Sequence, residues 1–117
     1  MVRFPKFGMA YRWTKEYGNP EVKEEFESIL KWSPYHNVKD GVKYPNFLLT
    51  TANKDSRVDP LHARKIGAML QSVNKTNQIF ILTEMEAGHG FGKPISKIVE
   101  THALVLSFFA KYLDLKV

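Results

Sequence analysis

The sequence predicts an α/β fold built on one parallel βαβ unit with flanking helices. Two short apolar runs, NFLLTT from residue 46 and IFILTEM from residue 79, are too brief and too continuous for amphipathic helices and end in turn-rich segments. The residues between them carry apolar side chains at helical spacing, as do segments before the first run and after the second. Two unbroken apolar strands joined through a helix call for parallel pairing, a right-handed crossover and helices covering the sheet. At 117 residues the chain has room for one ordinary core, so it is read as a single unit.

Residues 1–18 hold Phe4, Phe7, Tyr11, Trp13 and Tyr17 without a sustained period, which predicts a loop with one short helical turn, ordered by packing elsewhere. Asn19 followed by Pro20 is a helix start, a capping side chain and then a residue whose missing N–H costs nothing there. Val22, Phe26, Ile29 and Leu30 then form one apolar stripe. Pro34 forces Ser33 out of helical geometry and ends that helix. A polar, turn-rich stretch leads into the first strand. After it comes the loop holding Asp55, then Asp59 and Pro60 opening a helix whose inner face is Ala63, Ile66, Gly67, Leu70 and Val73. NKTNQ is a loop, and the second strand runs into the glycine turn around His89. Pro94 opens the last helix, where Ile95, Ile98, Val99, His102, Val105, Leu106, Phe109 and Leu113 keep helical spacing and are expected to lie in the core.

Seventeen Lys and Arg against twelve Asp and Glu give a net charge of +5. The basic residues are scattered singly rather than gathered in a run or on one helix face, so neither a nucleic-acid nor a membrane partner is expected. Cysteine is absent, which removes disulfides and thiolate metal sites and suits a reducing, cytoplasmic setting. The N-terminal stretch has Pro5 and Gly8 inside it and no apolar core of a signal peptide, and no run approaches bilayer length. His36, His62 and His102 share no ligand spacing, so no metal and no cofactor are expected.

In parallel sheets functional side chains collect in loops at the carboxyl ends of the strands. Asp55 and His89 each sit one short step past a strand end, 34 residues apart in sequence. Adjacent strands about 4.8 Å apart bring both loops to one rim, where the carboxylate and the imidazole face each other. A carboxylate bound to one ring nitrogen fixes the tautomer and supports the imidazolium formed when the other nitrogen takes a proton. That is two thirds of a nucleophilic triad, in the order Asp then His that α/β-hydrolases use after their serine. None of the six serines, Ser28, Ser33, Ser56, Ser72, Ser96 and Ser107, lies in a G-x-S-x-G elbow. Left to themselves, Asp55 and Asp59 also fit turn and helix-cap roles, and Trp13 and Tyr17 fit a helix-face pair at i and i+4.

Five stretches in order, RFPKF with WTKEYG, WSPYHNV, YPNFLLTTANKDSRVDPLHARK and AGHGFGKP, resemble the C-terminal part of the catalytic domain of the prolyl oligopeptidase family, serine peptidases that cleave after proline in short peptides. The resemblance implies a partial α/β-hydrolase fold, with residues 1–117 as the C-terminal part of such a domain and the nucleophile segment and β-propeller absent. It implies Asp55 and His89 as the triad aspartate and histidine, and Arg57 as the arginine that holds a substrate carbonyl. Trp13 matches the indole on which the substrate proline stacks, with Tyr17 and Val58 lining the same pocket. Around Asp55, where the family usually has a second aspartate or a histidine, this chain has Asn53, Lys54 and Ser56. The expectation is a peptidase fragment inactive alone, acting on a proline-containing peptide once a serine-bearing segment completes it. The alternative is a non-catalytic remnant that self-associates or binds a partner, through the unpaired edge of the strand starting at Phe47 and the apolar segment 103–110.

Overall fold

The computed structural model describes residues 1–85, 87–89 and 93–115; Glu86 and the Gly90, Phe91 and Gly92 part of the histidine turn lie outside the described residues. In chain order the elements are a 3-10 turn at Phe4–Lys6, a second at Ala10–Trp13, α1 (Thr14–Tyr17), α2 (Lys23–Trp32), α3 (Pro34–Asn37), β1 (Phe47–Ala52), α4 (Leu61–Val73), β2 (Ile79–Glu84) and α5 (Ile95–Tyr112). β1 and β2 pair in parallel, with Phe47 opposite Ile79 and Ala52 opposite Glu84. Among the described residues they form the whole sheet, so both outer strand edges are unpaired.

The βαβ unit follows from local chemistry. The Asp59 carboxylate accepts the Leu61 N–H at 2.9 Å, satisfying a first-turn donor of α4 that has no intrahelical partner. Gly67 faces the sheet so closely that a Cβ there would collide with the Ile81 side chain and lie 3.1 Å from Leu49 Cδ1. A residue with no side chain therefore lets α4 sit down on both strands. At the far end Gln71 donates to the Ile79 carbonyl and Asn77 to the Tyr44 carbonyl, pinning the entry to β2.

Three readings of the sequence are corrected. Residues 1–18 are not a loop with one turn but three successive helical turns, because Phe4 and Ala10 are buried against Ile29 of α2 and this apolar contact orders the backbone. α2 starts at Lys23, later than the Asn19–Pro20 pair predicts: the Asn19 side chain accepts the Glu21 N–H, its carbonyl closes a turn onto Val22, and Glu25 reaches back to the Asn19 N–H. The apolar stripe of α5 is not core. No α5 residue is fully buried, and Val99, Leu106 and Leu113 are each more than 60% exposed. The face that meets β2 is instead Thr101, Phe108 and Tyr112, with Phe80 edge-on to Phe108 at 6.1 Å. α2 does end before Pro34, with Ser33 extended at φ −66°, ψ 113°.

The molecule is flat, 49 × 40 × 20 Å, with a radius of gyration of 16.4 Å against about 13 Å for a compact domain of this length. Its accessible surface is 8463 Å², compared with about 6500 Å² for a folded monomer of this mass. Among the exposed large hydrophobic side chains are Ile95, Ile98, Val99, Leu104, Leu106 and Phe109 of α5.

Candidate active site

Beyond the strand ends the two chain segments stay zipped together. The Asn53 N–H donates to the Glu84 carbonyl at 2.8 Å and the Lys54 N–H to the Ala87 carbonyl at 3.1 Å, continuing the parallel ladder into the loops. Asp55 and His89 therefore emerge on neighbouring strands at the same rim. His89 Nδ1–H donates to Asp55 Oδ2 at 2.8 Å. The other carboxylate oxygen, Oδ1, accepts the backbone N–H groups of Arg57 at 2.9 Å and Val58 at 2.8 Å. The turn SRV thus wraps around its own aspartate, so a turn former and a histidine partner are one residue.

The Asp55 side chain is 11% exposed and that of His89 38%, a covered carboxylate with a reachable ring. Burial alone would raise the Asp55 pKa, but the hydrogen bonds from Val58, His89 and Arg57, with the His89 charge, outweigh it and hold the group below the ordinary carboxylate value. Asp55 stays ionised at neutral pH, and as an acceptor only it fixes the His89 proton on Nδ1. Nε2 is then the nitrogen left with its lone pair, the arrangement of a general base held by an acid.

The N-terminal segment completes the rim. Gly8, at φ +52°, runs so close to the loop that a Cβ there would lie 2.7 Å from the Ser56 carbonyl oxygen. That approach brings the second 3-10 turn alongside, and the Arg57 guanidinium lies 5.8 Å from the centre of the Trp13 ring. The structure thus brings Asp55, His89, Arg57 and Trp13 to one region. Val58 is 41% exposed and contributes its N–H to Asp55. Tyr17 sits apart from them: its ring contacts among the described residues are with Phe4, edge-on at 6.0 Å, and Trp32 at 6.3 Å. Among the described residues no three His, Cys, Asp or Glu gather as a metal site would require, and no helix is long and apolar enough to cross a membrane.

Sequence reasoning missed Glu84. Its carboxylate meets Lys93 Nζ through Oε2 and accepts the Thr101 hydroxyl on Oε1 at 3.1 Å, while its carbonyl holds Asn53. The hydrogen bond from Lys93 is the main influence on the Glu84 carboxyl and holds it below its ordinary value against the opposing effect of burial, with Thr101 and Lys97 adding to the lowering. A glutamate closing a strand and a lysine leaving a glycine turn were both visible, but nothing in their spacing joins them.

A parallel βαβ unit carrying an aspartate after one strand and a histidine after the next defines a segment of the α/β-hydrolase class. The chain belongs to the prolyl oligopeptidase family, whose model matches residues 3–116. It is similar to the prolyl endopeptidase of Elizabethkingia meningoseptica, 41% identical over 110 residues that make up 92% of this chain and 16% of that enzyme. It is 35% identical over 117 residues to prolyl oligopeptidase A of Amanita bisporigera, covering 98% of this chain and 15% of the relative. Among solved structures, a post-proline cleaving enzyme from Rickettsia typhi superposes with a TM-score of 0.91 at 32% identity, over 100% of this chain and 17% of that one. Prolyl oligopeptidase B of Galerina marginata, bound to a 35mer hydrolysis and macrocyclization substrate, superposes with a TM-score of 0.93 at 37% identity, again over 100% and 17%. The 117 residues thus span about a sixth of the length of the relatives they match.

Proposed function

We propose that these residues form the Asp–His half of a serine peptidase site that cleaves after proline in short peptides, and that the nucleophile comes from a segment outside the 117 residues. The observation that carries the reading is the His89 Nδ1 to Asp55 Oδ2 bond at 2.8 Å, on a rim that also carries Arg57 and Trp13. In this reading His89 Nε2 takes the proton of a serine hydroxyl as it attacks the scissile carbonyl and later passes it to the leaving amine. Asp55 keeps the ring oriented and stabilises its positive charge. Arg57 offers a substrate carbonyl a fork of donors, Trp13 offers an apolar face to a proline ring, and Val58 extends the wall, while Tyr17, turned to Phe4 and Trp32, stays outside it. The Galerina enzyme fits the comparison: it was captured with 35mer and 25mer substrates as variants in which a serine, a histidine or an aspartate is changed to alanine.

The experiment mixes the chain with a separately expressed serine-bearing segment of a relative and follows cleavage of a fluorogenic peptide after proline. Activity that needs both parts supports the reading, and none above either part alone counts against it. The isolated chain is expected to keep its mass unchanged after incubation with a serine-directed fluorophosphonate.

A second, non-catalytic reading is favoured by the uncovered surface: a module that self-associates through α5 and the open edge of β1. Its roughly 2000 Å² of surface beyond a compact monomer exceeds the about 800 Å² per partner of a standard interface. Light scattering at micromolar concentration separates the two, since a monomer contradicts self-association.

A further inference from the structure

We propose that Glu84, through its ion pair with Lys93, is the positioning residue that holds His89 in register with Asp55. The inference rests on the Asp–His reading of the site and deepens it by naming what fixes the pair.

The histidine turn leaves β2 at Glu84, and Lys93 follows nine residues on in the sequence. A glycine-rich turn of that length loses much conformational entropy when it holds one imidazole within hydrogen-bonding distance of a carboxylate. The structure closes the turn at its two ends: Lys93 Nζ lies 2.5 Å from Glu84 Oε2, with side chains 19% and 21% exposed. A pair this well covered is screened far less than a surface ion pair, and losing one partner leaves the other charge partly buried. Glu84 is also tied in the two other directions that matter. Its carbonyl accepts the Asn53 N–H, two residues before Asp55, and its Oε1 accepts the Thr101 hydroxyl of α5. One residue therefore fixes the start of the Asp55 loop, the return of the His89 turn and the helix that follows. The neighbouring Lys97 makes its own hydrogen bond to Glu100 at 2.7 Å. Without the Glu84–Lys93 closure, the backbone bond from Lys54 to Ala87 still places the beginning of the turn but not the ring.

The test reads the imidazole rather than cleavage. Full-length chain labelled with 15N-histidine is followed by long-range 1H–15N correlation at neutral pH, which reports whether His89 carries its proton on Nδ1 or Nε2. In the unaltered chain the Nδ1–H form dominates, because Asp55 accepts that proton. Lys93→Met and Glu84→Gln are expected to lower the Nδ1–H population about twofold or more, and Lys93→Arg to restore it, as a purely steric role for the lysine stem would not require. If Lys93→Met fails to fold, Glu84→Gln, which keeps the shape and the Thr101 bond, carries the test alone. A native amide spectrum with the His89 tautomer unchanged in either variant overturns the proposal. So does an unaltered chain in which Nδ1–H is not preferred. In the serine-complemented enzyme the same variants are expected to lose about tenfold in kcat with KM unchanged. If complementation gives no cleavage while the tautomer still follows Lys93, the peptidase reading fails and the positioning role stands. If cleavage occurs while the tautomer is indifferent to Lys93, the peptidase reading stands and the positioning role fails.

Discussion

The Arg57 guanidinium lies 5.8 Å from the Trp13 ring centre, joining a side chain from the Asp55 turn to one from the N-terminal turns. A cation over an indole face gains about 0.5–1 kcal/mol when exposed, enough to bias the orientation of both groups before a substrate arrives. Replacing Arg57 by Ala is therefore expected to act twice in the serine-complemented enzyme: a charge-assisted bond to the substrate is lost and Trp13 is released. Such bonds are worth about 1.5–3 kcal/mol, so kcat/KM should fall roughly 10- to 100-fold. Lys in place of Arg should recover only part of it, since it lacks the planar fork. Steady-state kinetics on a peptide with proline before the scissile bond checks this.

Acid should act on the fold through Asp55. Its pKa is lowered in the folded chain from 3.8, so below that value the unfolded chain binds the proton more readily than the folded one. The stability it contributes is fully present above its unfolded pKa and is lost as pH falls through the lower folded value. Asp55→Asn removes a share of that acid dependence, and Glu84, lowered in the same direction, keeps a further share. Urea denaturation midpoints measured from neutral pH down to about pH 2 check the slope. A variant as acid-sensitive as the parent contradicts the assignment.

The close approach of α4 to the sheet makes Gly67 a sensitive position. Valine there would drive its side chain into Ile81 and Leu49 and should cost about 3 kcal/mol. Alanine loses less, because the overpacking is offset by about 1 kcal/mol of helix propensity. The order Gly, Ala, Val in urea midpoint tests the packing, and a Val variant as stable as the parent rules it out.

These positions also show how far the sequence could be read. Continuous apolar runs at residues 47–52 and 79–84 and the helical spacing of 63–73 revealed the βαβ unit, because period and length are local properties. Asp55 and His89 could be paired because parallel topology converts 34 residues of sequence into neighbouring strand ends. What stayed hidden depends on contacts no local pattern encodes. The 3-10 turns before residue 14 exist because Phe4 and Ala10 pack on Ile29, and the aromatic residues there have no period to betray it. Tyr17 stands at helical spacing from Trp13 yet turns to Phe4 and Trp32. The stripe of α5 reads as core by spacing, but spacing tells only that a face seeks cover, not that the chain supplies it.

Val99 and Leu106 are 61% and 66% exposed, seven residues apart and so on one face of α5. Substituting Val99→Lys together with Leu106→Glu removes apolar surface without touching Phe108 or Tyr112, which pack on Phe80. Exposed substitutions away from packed contacts stay within about 0.5 kcal/mol, so the urea midpoint should hold. If the parent chain self-associates through this face, the double variant should scatter light as a monomer at concentrations where the parent does not. An unchanged oligomer would move the contact to the open edge of β1, whose unpaired N–H and C=O groups offer strand addition instead. Proline at Leu48 would then be the discriminating change, since it deletes a backbone donor on β1 that α5 substitutions leave intact.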